Sequence, residues 1–186
     1  LSKPHLYLDK DFRAGFRHLQ PLGLSFDAFL MEPQLPDLID LARSFPETQI
    51  ILDHLGTPMG VGQYAGKLKE RFPIWRDNIR ELAKCPNAHM KLTGVGMFLA
   101  GFGYETRTTA VTSEELANDW RPYIEASIEA FGVSRCMFGS NFPVDAATCS
   151  FAVLWNAFKR ITSGASKAEK DALYYGTAKR VYRLDV

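Results

Sequence analysis

Three short apolar runs in this chain each end in side chains that can do chemistry. Gln49-Ile-Ile-Leu52 runs directly into Asp53 and His54. Ala88-His-Met-Lys-Leu-Thr93 carries Lys91 near its end, and Arg135-Cys-Met-Phe138 is followed by Asn141 and Asp145. Glu32, just past Leu24-Ser-Phe-Asp-Ala-Phe-Leu30, makes a fourth instance. An imidazole among carboxylates can bind a metal, orient a carbonyl or shuttle a proton near neutral pH. Each residue also has a plainer role open to it. His54 can be a hydrogen-bonded packing residue, Asp53 a cap on the following turn, and Lys91 a solvated strand end. Glu32 precedes a proline helix start, where a carboxylate is favourable, and Asn141 and Asp145 can be turn formers around Pro143.

Position favours chemistry if the apolar runs are parallel strands, because loops at the C-terminal ends of such strands converge over a packed core. The rest of the pattern supports that. Phe12, Phe16, Leu19 and Leu22 predict a helix over Asp11 to Leu22 that stops at Gly23, and Leu24 to Leu30 then alternates as a strand. An apolar stripe predicts a helix over Pro33 to Phe45, and a second one over Leu68 to Leu82 in which Pro73 implies a break or fresh start. His89 is expected inside the third strand, not at its tip. Gly94 to Thr112 lacks periodicity and has the length of a functional loop. Trp120, Ile124, Ile128 and Phe131 predict a helix from Ser113 up to Gly132, with two more over Thr148 to Ile161 and Lys167 to Tyr182. The aromatic residues of the helical stripes are assigned to the core. Strand and helix alternate throughout, which predicts a parallel α/β sheet with four good strands.

Composition narrows the function class. With 186 residues, 46% apolar, and a net charge of +1, the chain is long enough for one domain, taken as residues 1–186, and has no charge block suited to nucleic acid. No apolar stretch approaches the ~18 residues of a membrane span, and no leader pattern opens the chain. Cys85, Cys136 and Cys149 are too few and too widely spaced for a disulfide framework or a zinc ribbon, and are read as reduced thiols of a cytoplasmic protein.

Four segments in order, Ile50-Ile-Leu-Asp-His-Leu-Gly-Thr-Pro58, Asn87-Ala-His-Met-Lys-Leu-Thr-Gly94, Phe131 to Asp145, and Gly176-Thr-Ala-Lys-Arg-Val-Tyr-Arg-Leu184, resemble the amidohydrolase-related family of metal-dependent TIM-barrel hydrolases, which includes sugar lactonases and 2-pyrone-4,6-dicarboxylate lactonase. The resemblance implies the C-terminal part of a (β/α)8 barrel, roughly strands four to eight, without the N-terminal strands. It implies hydrolysis of a lactone or related carboxylic ester of a small-molecule substrate. It places His54 at the tip of strand five as catalytic residue and metal ligand, Lys91 at strand six and Asn141 at strand eight, with zinc or manganese as the expected metal. Lys91 and Asp53 are expected to bind substrate. Many relatives have an aspartate where this chain has Asn141, and a carboxamide cannot be a general base, so Asp145 is the first substitute and Asp53 the second. The family's His-x-His pair at strand one is absent. Completion of the barrel is therefore expected from an N-terminal segment or a homo-oligomer. The competing expectations are a non-catalytic fragment or binding protein of the same fold, and a metal-dependent decarboxylase.

Overall fold

The four apolar runs become four short parallel strands in the computed structural model, which describes residues 4–185. They are β1 (Phe26–Ala28), β2 (Ile50–Leu52), β3 (Ala88–Leu92) and β4 (Cys136–Phe138), hydrogen-bonded in the order β1-β2-β3-β4. Phe26 pairs with Ile50, Ile50 with Ala88, and Met90 with Cys136. Helical crossovers force the parallel arrangement: α2 (Leu35–Ser44) joins β1 to β2, α3 (Leu68–Ala83) joins β2 to β3, and α4 (Ser113–Phe131) joins β3 to β4. All four reactive tips therefore lie at one end of the sheet.

The pleat sends alternate side chains to opposite faces. Ala28, Ile50, Leu52, Ala88, Met90, Leu92, Cys136 and Phe138 belong to the main core with the stripes of α2, α3, α4 and α5 (Phe151–Ile161). Phe138 stacks on Phe158 at 4.5 Å, which seats α5. Ile51 and Met137 point the other way, into a small second core with Val181 of α7 (Thr177–Tyr182). Alternation puts Asp27, His89 and Lys91 on that second face. His89 is inside β3 as expected; burial, with Arg180 and Arg135 nearby, pushes its imidazole down to about 4, so it stays neutral.

Several boundaries differ from the sequence pattern. The first helix, α1 (Lys10–Phe16), stops well before Leu22 and gives way to turns. Pro21 lacks an N–H and disfavours helical geometry at Gln20, and Leu22 is left 69% exposed. The first strand shrinks to three residues for a related reason, since only Phe26–Ala28 has β2 beside it. Conversely, α3 runs straight through Pro73: burial of Trp75, Ile79 and Leu82 outweighs one missing backbone bond. The final helix divides into α6 (Lys167–Asp171), one π turn over Ala172–Gly176, and α7. Tips at strands five, six and eight would require a strand between β3 and β4; these two pair directly, so the three tips stand on consecutive strands. Among the described residues no helix is long and apolar enough to cross a membrane.

The segment from Gly94 to Thr112 is built, not slack. It contains two short 3-10 turns, buries Tyr104 and Val111, and crosses the loop after β2 at Gly60, whose N–H donates to the Leu99 carbonyl at 2.9 Å. A Cβ on Gly60 would lie 2.2 Å from the Ala100 carbonyl oxygen, so this backbone crossing requires glycine.

Candidate functional site

Beyond Leu52 the chain leaves the sheet through a run of left-handed residues: His54 (φ 54°, ψ 39°), Leu55 (φ 53°, ψ 26°), Gly56 (φ 67°) and Thr57 (φ 42°). For non-glycine residues this conformation costs about 1–2 kcal/mol each, so the surroundings must hold it. The turn directs the His54 ring against the tip of β3. Its Nδ1 lies 2.7 Å from Thr93 Oγ1, and Phe29 meets the ring edge-on at 5.3 Å. Gly94 backs the ring so closely that an added Cβ would stand 2.5 Å from His54 Nδ1. Burial lowers the His54 pKa, the Lys91 charge lowers it further, and Asp53 partly opposes both. At pH 7 the imidazole is neutral. In either tautomer Nε2 is the nitrogen left to act, polarising a carbonyl as N–H or accepting a proton as a bare lone pair.

Gly94→Ala combines this clash with a side chain at φ +68°. It is expected to cost about 2 kcal/mol and to displace His54. Thermal unfolding together with the histidine NMR signals checks both effects.

Lys91 is the hub of the second face. Its Nζ donates to Asp27 Oδ1 at 2.7 Å, and forms an ion pair with Asp53 Oδ1 at 3.0 Å in a geometry off the hydrogen-bond direction. The ammonium lies 5.2 Å from the centre of the Tyr182 ring, whose hydroxyl donates to the same Asp27 oxygen. Burial works to lower the Lys91 pKa, but Asp27, Tyr182 and Asp53 outweigh it and the net shift is upward. Lys91 is thus a fixed positive charge beside His54 and cannot serve as a base.

At the tip of β4, Asn141 is also left-handed (φ 55°), and its Nδ2 donates to Asp145 Oδ1 at 2.8 Å. Asp145 is only 1% exposed, and burial pushes its carboxyl up to about 6 against the pull of Asn141. Oδ2 has no partner among the described residues and faces Gly96, where a Cβ would stand 3.3 Å away. Thr148 Oγ1 fixes Gly96 by donating to its carbonyl at 2.6 Å. The segment Gly94 to Gly96 therefore touches His54 at one end and Asp145 at the other. Among the described residues, no hydrogen bond or ion pair joins His54 to Asp145 directly.

Glu32 stands apart from this cluster. It opens the turn before α2, as its sequence position suggests, but it is 1% exposed and both its oxygens lie 2.6 Å from Arg71 Nη2. The Arg71 guanidinium rests 4.8 Å over the Tyr64 ring. Its role is to bolt the β1 tip to α3.

The amidohydrolase family model matches residues 2–184. The chain belongs to the amidohydrolase family. An uncharacterized protein of Sinorhizobium fredii is 39% identical over 99% of this chain, and an L-fucono-1,5-lactonase of Burkholderia multivorans is 31% identical over 95% of it. A crystal structure of a B. multivorans amidohydrolase with bound zinc matches 96% of the chain with a TM-score of 0.83 at 29% identity. The chain spans 55%, 57% and 59% of the lengths of these three relatives. Its sheet is accordingly part of an amidohydrolase-type barrel.

The zinc in that relative raises the question of whether this chain's residues fit a metal. Among the described residues no group of three His, Cys, Asp or Glu side chains gathers to hold one. His54 Nε2 is a single donor, and the adjacent Asp53 is committed to Lys91, so the described residues do not form a metal site by themselves. Of the amidohydrolase residues singled out by sequence, Asp53, His54 and Lys91 come together, and Asn141 and Asp145 form a separate pair. Thr93, Asp27 and Tyr182 were missed. Asp27 is the one charged residue within Leu24 to Leu30, which was the available clue. Tyr182 entered only as the end of the last predicted helix; its ring packs on the small second core, and its hydroxyl reaches the Lys91 network.

Proposed function

We propose that this amidohydrolase chain carries the acting groups of a lactone hydrolase that opens a cyclic ester of a sugar acid. The observation that carries the reading is the neutral His54, fixed in a left-handed turn with Nδ1 engaged by Thr93 and Nε2 available beside the Lys91 cation. The lactonase name of the B. multivorans relative supports the substrate class. In the proposed step, water oxygen bonds to the lactone carbonyl carbon while a carboxylate takes its proton. The ring C–O bond then breaks, and the departing oxygen receives a proton to leave an open hydroxy acid. His54 Nε2–H polarises the carbonyl, and Lys91 stabilises the negative charge that develops. Asp145 is assigned as the base, because Asn141 has no basic atom and Asp53 is tied to Lys91. No step here passes through a metal.

The Asp145 assignment gives a pH signature. A base must be ionised, so kcat/KM is expected to rise as pH passes through about 6 and to flatten above it. Stability has the opposite sign. Because the folded-state value is raised from 3.8 to about 6, Asp145 contributes stability that is full below pH 3.8 and lost as pH rises through 6. The loss is at most about 3 kcal/mol. Asp145→Asn should remove that decline, seen as urea denaturation curves that no longer weaken across this window, and should abolish the rise in rate. An unchanged rate profile in Asp145→Asn would transfer the base role to Asp53.

A further inference from the structure

We propose that Trp75 is a positioning residue for His54, acting through the backbone of the turn that holds it. The inference depends on His54 being a site residue, not on the lactone as substrate. Trp75 lies on α3 and is 1% exposed, and its indole N–H donates to the Leu55 carbonyl at 2.7 Å, across twenty residues of sequence. Leu55 is fully buried and follows His54 in the left-handed run. Its carbonyl lies beyond the β2 ladder, and without the indole it would be a buried acceptor lacking a partner, a state proteins rarely tolerate.

The other ties on this turn lie further from the imidazole's own peptide or are local to it. Thr57 N–H donates to the His54 carbonyl at 2.8 Å within the turn, and Glu32 N–H donates to the Thr57 carbonyl at 3.2 Å. Gly56 packs on Leu35. The indole bond is thus the tie from the helix layer to the carbonyl of the residue that follows His54. Strained residues persist only where their surroundings over-determine them, and this bond rewards the left-handed geometry directly. The ring is anchored independently: Trp75 packs against Tyr123 at 4.9 Å and Phe72 at 5.5 Å. Loss of the N–H can therefore be separated from loss of the ring.

The test uses Trp75→Phe, which keeps an aromatic ring and removes the donor, beside Ile79→Val as a packing control on the same helix. The readouts are the NMR signals of the His54 ring at fixed pH and the kinetics of lactone opening. For Trp75→Phe the His54 ring signals should shift as the ring moves against Thr93 and Phe29, and kcat should fall by about 10²-fold with KM changed far less, as for a misplaced acting group. Ile79→Val should leave the His54 signals and kcat/KM unmoved. Should Trp75→Phe not fold, the benzothienyl analogue of tryptophan, isosteric but without N–H, replaces it. Unshifted His54 signals in a folded donor-less variant, or an equal shift in Ile79→Val, overturn the proposal. Shifted His54 signals in a protein that opens no lactone would uphold this inference while sinking the lactonase reading.

Discussion

Replacing His54 by asparagine is expected to lower kcat/KM for lactone opening by about 10²–10⁴-fold, the range of a positioned acid–base group, with the fold retained. Asparagine is the substitution of choice because the residue sits at φ 54°, a conformation that asparagine accepts more readily than alanine. The variant removes Nε2 while keeping a short polar side chain opposite Thr93. The loss should fall on the chemical step, since nothing in the Lys91 network depends on the imidazole. Initial rates under pH-stat control, with circular dichroism to confirm folding, make the comparison. Wild-type rates in a folded His54→Asn protein would remove His54 from the mechanism.

The largest stability effect is expected at Arg71. Its partner Glu32 is 1% exposed, so Arg71→Met leaves a buried carboxylate with no cation. Removing one partner of a buried pair costs about 3–5 kcal/mol, and the 22% exposure of the Arg71 side chain favours the lower end. Converting Glu32 to glutamine in the same protein removes the stranded charge and should recover much of the loss, which a double-mutant cycle by urea denaturation measures. If the double variant is no more stable than Arg71→Met, the penalty belongs to lost packing on Tyr64 and not to the charge.

The framework of the site was legible because it follows from periodicity. A run such as Ile50-Ile51-Leu52, apolar on both faces, reads as a buried parallel strand, and the polar residues after it must then stand at its open end. That reasoning located Asp53, His54, Lys91, Asn141 and Asp145 correctly along the chain. It could not reveal which of them touch. The pairing of Asn141 with Asp145 depends on the left-handed twist at Asn141, and the ion pairs of Lys91 depend on sheet register, which sets Asp27 and Asp53 on the same face. Only geometry shows that a side chain at Gly94 would strike the His54 ring and that Gly96 lies tight against Asp145. Helix ends were the least legible feature. Pro73 disappears inside α3 because the buried stripe prevails there, whereas Pro21 helps end α1 where no comparable stripe continues.

The relation between His54 and Lys91 also explains why the same sequence features support both a chemical and a structural reading. Lys91 is a fixed cation in a network of two carboxylates and a phenol, a stabilising arrangement at the edge of the second core. The same fixed charge helps hold the neighbouring imidazole neutral, the form in which it can act.

The most direct test of the central claim is acid release under pH-stat from the purified protein supplied with five- and six-membered sugar-acid lactones near pH 7.5, above the Asp145 transition. The account predicts one equivalent of acid per lactone opened, at a rate well above spontaneous hydrolysis and lost in His54→Asn. Release no faster than in buffer alone, from a folded protein, would contradict it and favour a binding role for the same fold.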